Sequence, residues 1–155
     1  MNPTDKVCIG DFDPKMLDIF EEYKAIIKKK LPKSEVILFG SNAVPMKGKI
    51  HEVDILVIVE DQYAALPLLR PSFPQVEEFE GRVYMHARKG PVHIEVHLVS
   101  KRHEKINRVL GMLERFKTDK KLRLELEKLK ESCHGKTMSE YRAKKTEFFK
   151  KHKMI

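Results

Sequence analysis

Between Val36 and Val59 the chain reads VILFGSNAVPMKGKIHEVDILVIV, and no other stretch limits its fold as strongly. An apolar strand runs into a Gly40-Ser41 turn, and a second strand then opens with two carboxylates one residue apart. Side chains alternate along a strand, so Glu52 and Asp54 project from one face while Val53 and Ile55 point to the other. Val53 to Val59 is almost continuously apolar, as expected for a central strand covered on both faces. Backbone N–H groups after a glycine turn can receive phosphate oxygens where a helix begins. A carboxylate pair can hold the hard divalent cation that travels with those phosphates. The stretch therefore points to a metal-nucleotide site. Gly40 allows close approach of the backbone, and Gly40, Ser41 and Asn42 form the nucleotide-contacting turn.

The rest of the chain reads as a small mixed sheet with helices. Asp13-Pro14 predicts an N-cap and first helical residue, and Leu17, Phe20, Tyr23, Ile27 and Leu31 recur at helical spacing up to Pro32. Glu35 to Phe39 is the first strand, and MKGK is read as a loop. A helix over Gln62 to Arg70 is expected to kink or end at Pro67. Arg82 to Arg88 and Pro91 to Val99 read as a hairpin about the Arg88-Lys89-Gly90-Pro91 turn. In its second strand Val92, Ile94, Val96 and Leu98 share one face, and His93, Glu95 and His97 the other. Beyond Ser100 the period becomes helical to the end, with breaks near Thr118-Asp119 and His134-Gly135; Thr118 or Asp119 and Thr137 or Ser139 are the candidate caps. Ile106, Val109, Leu110, Leu113 and Phe116 are expected to dock these helices onto the sheet. The order implies an α+β fold, and 155 residues suit one domain spanning 1–155.

Composition narrows the setting. No apolar run reaches the roughly 18 to 20 residues of a membrane span, and the N-terminus lacks the pattern of a secretory signal, so a cytoplasmic protein with no membrane partner is expected. Cys8 and Cys133 have no metal-binding spacing and read as free thiols. Residues 1–100 hold 13 Lys/Arg against 15 Asp/Glu, whereas 101–155 hold 18 against 8. The basic C-terminal third can attract a polyanion, either nucleic acid or nucleotide phosphate. The alternative is a set of amphipathic helices with solvated lysine faces.

These residues resemble a known family. A Gly-Ser turn followed by an acidic-x-acidic strand is the pattern of polymerase-beta-like nucleotidyltransferases, with Glu52 where that superfamily usually has Asp. More closely, the chain resembles the GrpB-like family, a group with the nucleotidyltransferase fold. The resemblance lies in Asp13-Pro14 and its helix, in GSNAVPMKGKIHEVDILV, in IEVHLV, and in the ending YRAKKTEFF, which is similar to a Tyr-x-x-x-Lys-x-x-Phe pattern. The family usually carries an apolar residue at the position of Glu52, and two His on the strand where this chain has Glu95 and His97.

The resemblance implies a nucleotidyltransferase-like fold with a small mixed sheet and a helical C-terminal region. The GrpB-like group has no settled activity; the polymerase-beta-like pattern implies, as the alternative, an active nucleotidyltransferase with a catalytic set of Glu52, Asp54 and Glu95 binding one or two Mg2+ ions and ATP or another NTP on Gly40, Ser41 and Asn42. Arg82, Arg88 or Lys101 would add phosphate contacts. A different metal reading takes His93, Glu95 and His97 as co-facial ligands for Zn2+, so His97 joins Glu52, Asp54 and Glu95 among the candidate metal ligands. GrpB-like domains also occur fused to dephospho-CoA kinase, which implies a non-catalytic accessory role beside coenzyme A synthesis. Nucleic-acid binding through the basic helices is the remaining alternative.

Overall fold

A computed structural model describes residues 2–155. The chain runs β1 (Ile9–Gly10), α1 (Lys15–Lys30), β2 (Glu35–Phe39), a 3-10 turn (Gly40–Asn42), β3 (Gly48–Lys49), β4 (Glu52–Val59), α2 (Gln62–Leu69), β5 (Gln75–Phe79), β6 (Arg82–Lys89), β7 (Val92–Ser100), α3 (Lys105–Thr118), α4 (Lys120–Ser132) and α5 (Met138–Lys151). Five strands form one mixed sheet in the order β2-β4-β7-β6-β5. Only β4 and β7 are parallel; their register sets Glu52 beside His93 and Asp54 beside Glu95. The helical turn between β4 and β5 and the β5-β6-β7 meander supply that crossover, as a parallel pair requires.

The period-2 pattern decides which helices cover which face. Val53, Ile55 and Val57 of β4, Ile94, Val96 and Leu98 of β7, and Val83 and Met85 of β6 share one core with Met16, Phe20 and Ile27 of α1 and with Ala65 and Leu69 of α2. Burial of each such side chain contributes about 1.5–3 kcal/mol. On the opposite face the apolar residues occupy only one end. There Ile37, Phe39, Leu56, Ile58 and Val99 pack under Ile106, Val109 and Leu113 of α3. The other end of that face carries the carboxylates and histidines, roofed by α4 and α5.

The predicted elements are present, with informative differences. Helix α1 begins at Lys15, and Asp13 Oδ1 accepts its N–H at 3.0 Å. Helix α2 passes Pro67 and runs to Leu69, and the Asp61 carboxylate accepts the Tyr63 and Ala64 N–H groups and secures its first turn. Asp119 caps α4, while Thr137 and Glu140 form a reciprocal capping box on α5. Leu110 does not dock: it is 43% exposed, one position off the stripe formed by Ile106, Val109 and Leu113. Phe116 turns away from the sheet to pack with Val44, Met46, Leu122, Leu126 and Phe148.

Three elements, β1, β3 and β5, lie outside the sequence expectation. Strand β5 is an exposed edge whose sequence, QVEEF, offers little apolar alternation. The segment read as a loop contains β3, which pairs with β1 through only two residues. Both cysteines are free thiols, Cys8 exposed and Cys133 buried. Among the described residues no helix is long and apolar enough to cross a membrane.

Candidate functional site

Glu52 and Asp54 leave β4 on the face away from α1, and Glu95 and His97 leave β7 on the same face. They open into a cavity of about 440 Å3 whose lining includes Phe39, Gly40, Ser41, Glu52, Asp54, Glu95 and His97 from the sheet side. From the helices come Lys105, Arg108, Lys130, Tyr141 and Lys145. An apolar end is formed by Met46, Met112, Phe116, Leu126 and Phe149. The cavity therefore has an acidic floor, a basic roof and a hydrophobic side.

The turn before β4 is shaped around Asp54. Gly40 has φ +78°, a left-handed conformation that favours glycine, and a Cβ there would lie 2.7 Å from Asp54 Oδ2. Close packing of the Asp54 carboxylate, as well as any ligand, thus requires glycine at this position. Gly48 is constrained in the same way, since its Cβ would meet Ser41 Oγ at 2.3 Å. Asn42 is buried, and its Nδ2 donates to the Glu52 carbonyl at 2.6 Å, anchoring the start of β4. Ser41 lines the cavity itself.

The three carboxylates differ in their partners. Glu52 is bound through both oxygens by Lys49 Nζ, at 2.7 and 2.9 Å. Asp54 is pushed up to about 7, first by burial and then by the charges of Glu52 and Glu95, with Lys49 and Lys145 opposing. Burial would also raise Glu95, but hydrogen bonding to His97 outweighs it and keeps the carboxyl well below the usual range. His97 is lowered by burial and so stays neutral near pH 7, despite the opposing pull of Glu95. Its Nε2 lies 3.4 Å from Glu95 Oε1, and its Nδ1 contacts the ammonium of Lys105. A Lys105 N–H to Nδ1 and an Nε2–H to Glu95 satisfy both ring nitrogens in one tautomer.

Ligand atoms from these groups fall into two overlapping sets. Glu52, His93 and Glu95 lie within 4.8 Å of one another, and so do Asp54, Glu95 and His97. Glu95, the register partner of Asp54, belongs to both. The co-facial set His93, Glu95 and His97 is thus divided: the histidines sit in different trios.

The basic roof was not legible as a site. Lys130 is 5% exposed, and among the described residues its ammonium has a single hydrogen-bond acceptor, Met46 Sδ at 3.3 Å. Burial, then the charge of Lys145, lowers it to about 7. Burial also lowers Lys145, whose Nζ lies 4.6 Å from the Tyr141 ring centroid. Lys105 falls to about 8 through burial and then the Arg82 charge. Of the three proposed phosphate contacts only Arg82 lines the cavity; Lys101 pairs with Glu60 at the surface. One sequence signal did point here. Tyr141, Lys145 and Phe148 are the Tyr-x-x-x-Lys-x-x-Phe residues, and they face inward from one side of α5.

The chain is similar to conserved protein GrpB from Enterococcus faecalis, with a TM-score of 0.74 at 22% identity over 93% of this chain and 98% of that one. It is also similar to a cytoplasmic RNA terminal U-transferase, with a TM-score of 0.53 at 15% identity over 73% of this chain and 39% of that one. A third likeness is to the Cid1 poly(U) polymerase in its MgGTP-bound form, with a TM-score of 0.53 at 14% identity over 73% and 41%. No curated protein matches. These likenesses show a nucleotidyltransferase-like fold. With the GrpB protein model matching residues 6–154, the chain belongs to the GrpB family.

Proposed function

We propose that this cavity binds a nucleoside triphosphate with Mg2+ and transfers its nucleotidyl group to an acceptor hydroxyl. The observation that carries this reading is Lys130, a buried ammonium whose acceptor among the described residues is a thioether, facing carboxylates across the same cavity. A buried cation is costly unless it is paired, and a polyphosphate would supply the pairing. The oxygen donors of Glu52, Asp54 and Glu95 suit Mg2+, and Asp54 is held high by burial and then by the carboxylates around it. Those three would hold the ion. When bound, it would stabilise charge developing on the phosphates.

The roles of the chain's own groups follow from their places. Lys130, Lys145 and Lys105 hold the phosphate oxygens. Ser41 lines the opposite wall, and Phe116, Met112 and Phe149 cover the apolar part of the ligand. Asp54 lies at the centre of the acidic floor, where its carboxylate is placed to accept a proton from an acceptor hydroxyl. The test is calorimetry with ATP and the other NTPs, with and without Mg2+. Metal-dependent binding that Lys130→Met and Asp54→Asn each weaken supports the proposal; no binding at millimolar nucleotide overturns it.

The Lys49–Glu52 pair favours a second reading. A lysine already satisfying both oxygens of one carboxylate suits a module that binds a nucleotide without turning it over, including the accessory role beside coenzyme A synthesis that the sequence resemblance implies. Binding of ATP with no release of pyrophosphate to any acceptor supports this reading. Nucleic acid is the third ligand considered, and steeply salt-dependent RNA binding would support it.

A further inference from the structure

We propose that Glu52, His93 and Glu95 form a transition-metal site that shares Glu52 and Glu95 with the proposed Mg2+ position, takes His93 in place of Asp54, and fills in the absence of nucleotide. Parallel pairing of β4 and β7 sets Glu52 directly beside His93, and Glu95 follows two residues along on the same face. Their ligand atoms all lie within 4.8 Å of one another. The site is sheltered, with the side chains of Glu52 and Glu95 14% and 22% exposed.

The ligand chemistry selects the ion. One imidazole with two carboxylates favours Mn2+, Co2+ or Zn2+ over Mg2+, which prefers an all-oxygen octahedral shell. The imidazole is also positioned from behind. Nδ1 of His86 lies 2.9 Å from Nε2 of His93, and the rings stack at 5.0 Å and 13°. Nε2 of His86 in turn lies 3.4 Å from Glu77 Oε2. The His86 contact thus supports the His93 ring from β6, the kind of outer support that fixes a metal-binding ring.

Lys49 is the competitor for this site, since its ammonium holds both Glu52 oxygens. An incoming ion must take Glu52 from it. Removal of the Lys49 charge therefore tightens metal binding.

The experiment uses the full chain without a polyhistidine tag, stripped with chelator and titrated with Mn2+. Free Mn2+ is followed by electron paramagnetic resonance, and bound Mn2+ by pulsed detection of nitrogen coupling. One Mn2+ per chain is expected, displaced by equimolar Zn2+ and carrying imidazole nitrogen coupling. His93→Gln abolishes the coupling and weakens binding by more than tenfold, whereas Asp54→Asn retains the coupling and Lys49→Met tightens binding. His86→Gln, which keeps all three ligands, weakens binding by about tenfold. Bound Mn2+ without nitrogen coupling, unchanged affinity in His93→Gln, or loss of coupling in Asp54→Asn each overturns the proposal. Nucleotide plays no part in these readings, so their failure is separate from failure of the nucleotide site.

Discussion

Asp54→Asn gives the most direct test of the electrostatics of the site. In the folded chain the carboxyl is raised from 3.8 to about 7 by burial and by Glu52 and Glu95. Below about pH 4 it is protonated in both folded and unfolded chains. Between pH 4 and 7 the unfolded chain releases the proton while the folded one keeps it, so this group costs stability as pH rises, and the cost is complete above pH 7. Three units correspond to about 4 kcal/mol, and partial contact with water reduces this to about 2–4 kcal/mol.

The asparagine variant should therefore exceed the wild type by about 2–4 kcal/mol at pH 8, with the advantage closing at pH 4. Urea unfolding at pH 4, 6 and 8 measures it by linear extrapolation. The difference between the two proteins is the quantity to read, because His93 and His97 act in the opposite sense. Both are lowered mainly by burial, so they remove stability as pH falls below their unfolded value of 6.5, and they do so in both proteins. An advantage that does not change with pH would refute the reasoning.

Lys130 should show the reverse trend. Its folded value of about 7 against 10.5 makes Lys130→Met most stabilising below pH 7, with the gain vanishing as pH approaches 10; thermal melts at pH 6.5 and 9.5 that differ equally from wild type would exclude this. Gly40→Ala should cost more than Gly81→Ala, because both glycines have positive φ but only at Gly40 does a Cβ meet a neighbour, the Asp54 carboxylate. The strain common to both is about 1–2 kcal/mol, and only Gly40→Ala should also weaken Mg2+-ATP binding. Thr137→Ala removes the α5 capping box and should cost about 1 kcal/mol, or about 3 °C in Tm, with equal melting of the two proteins counting against it.

The acidic half of the site was readable because it is local. Glu52 and Asp54 share a strand, Glu95 and His97 share another, and the period of 2 states which side chains are co-facial. Parallel pairing of β4 and β7 was all that tertiary structure had to add. The basic half is different in kind. Lys49, Lys105, Lys130 and Lys145 come from β3, α3, α4 and α5, and nothing in a lysine-rich amphipathic helix marks the one lysine that points inward. Lys130 is the clearest example: it follows Leu122 and Leu126 at spacings of eight and four, so it continues the buried stripe of α4 where a purely compositional reading sees a solvated face. β5 escaped for another reason. An edge strand needs only one half-buried apolar residue, Val76, and its Glu-rich outer positions protect the edge from pairing.

Glu52 faces the cavity rather than solvent, and its partner is the chain's own lysine. That shifts the argument about the site from the carboxylates to the sum of charges around them. Glu52, Asp54 and Glu95 face Lys49, Lys105, Lys130 and Lys145, with Arg82 and Arg108 also lining the space. Cations outnumber anions, and burial, followed by the charges of Lys145 and Arg82, loosens the grip on protons at Lys130 and Lys105. At the same time Asp54 retains a proton against its neighbouring carboxylates. A metal ion alone would release the proton on Asp54 yet worsen the excess of positive charge; a polyphosphate alone would pair the lysines but face the carboxylates. Bound together, each ligand removes the electrostatic objection to the other. On the proposed nucleotide reading Mg2+ and polyphosphate load as a unit, and Mg2+ should raise nucleotide affinity by as much as nucleotide raises Mg2+ affinity.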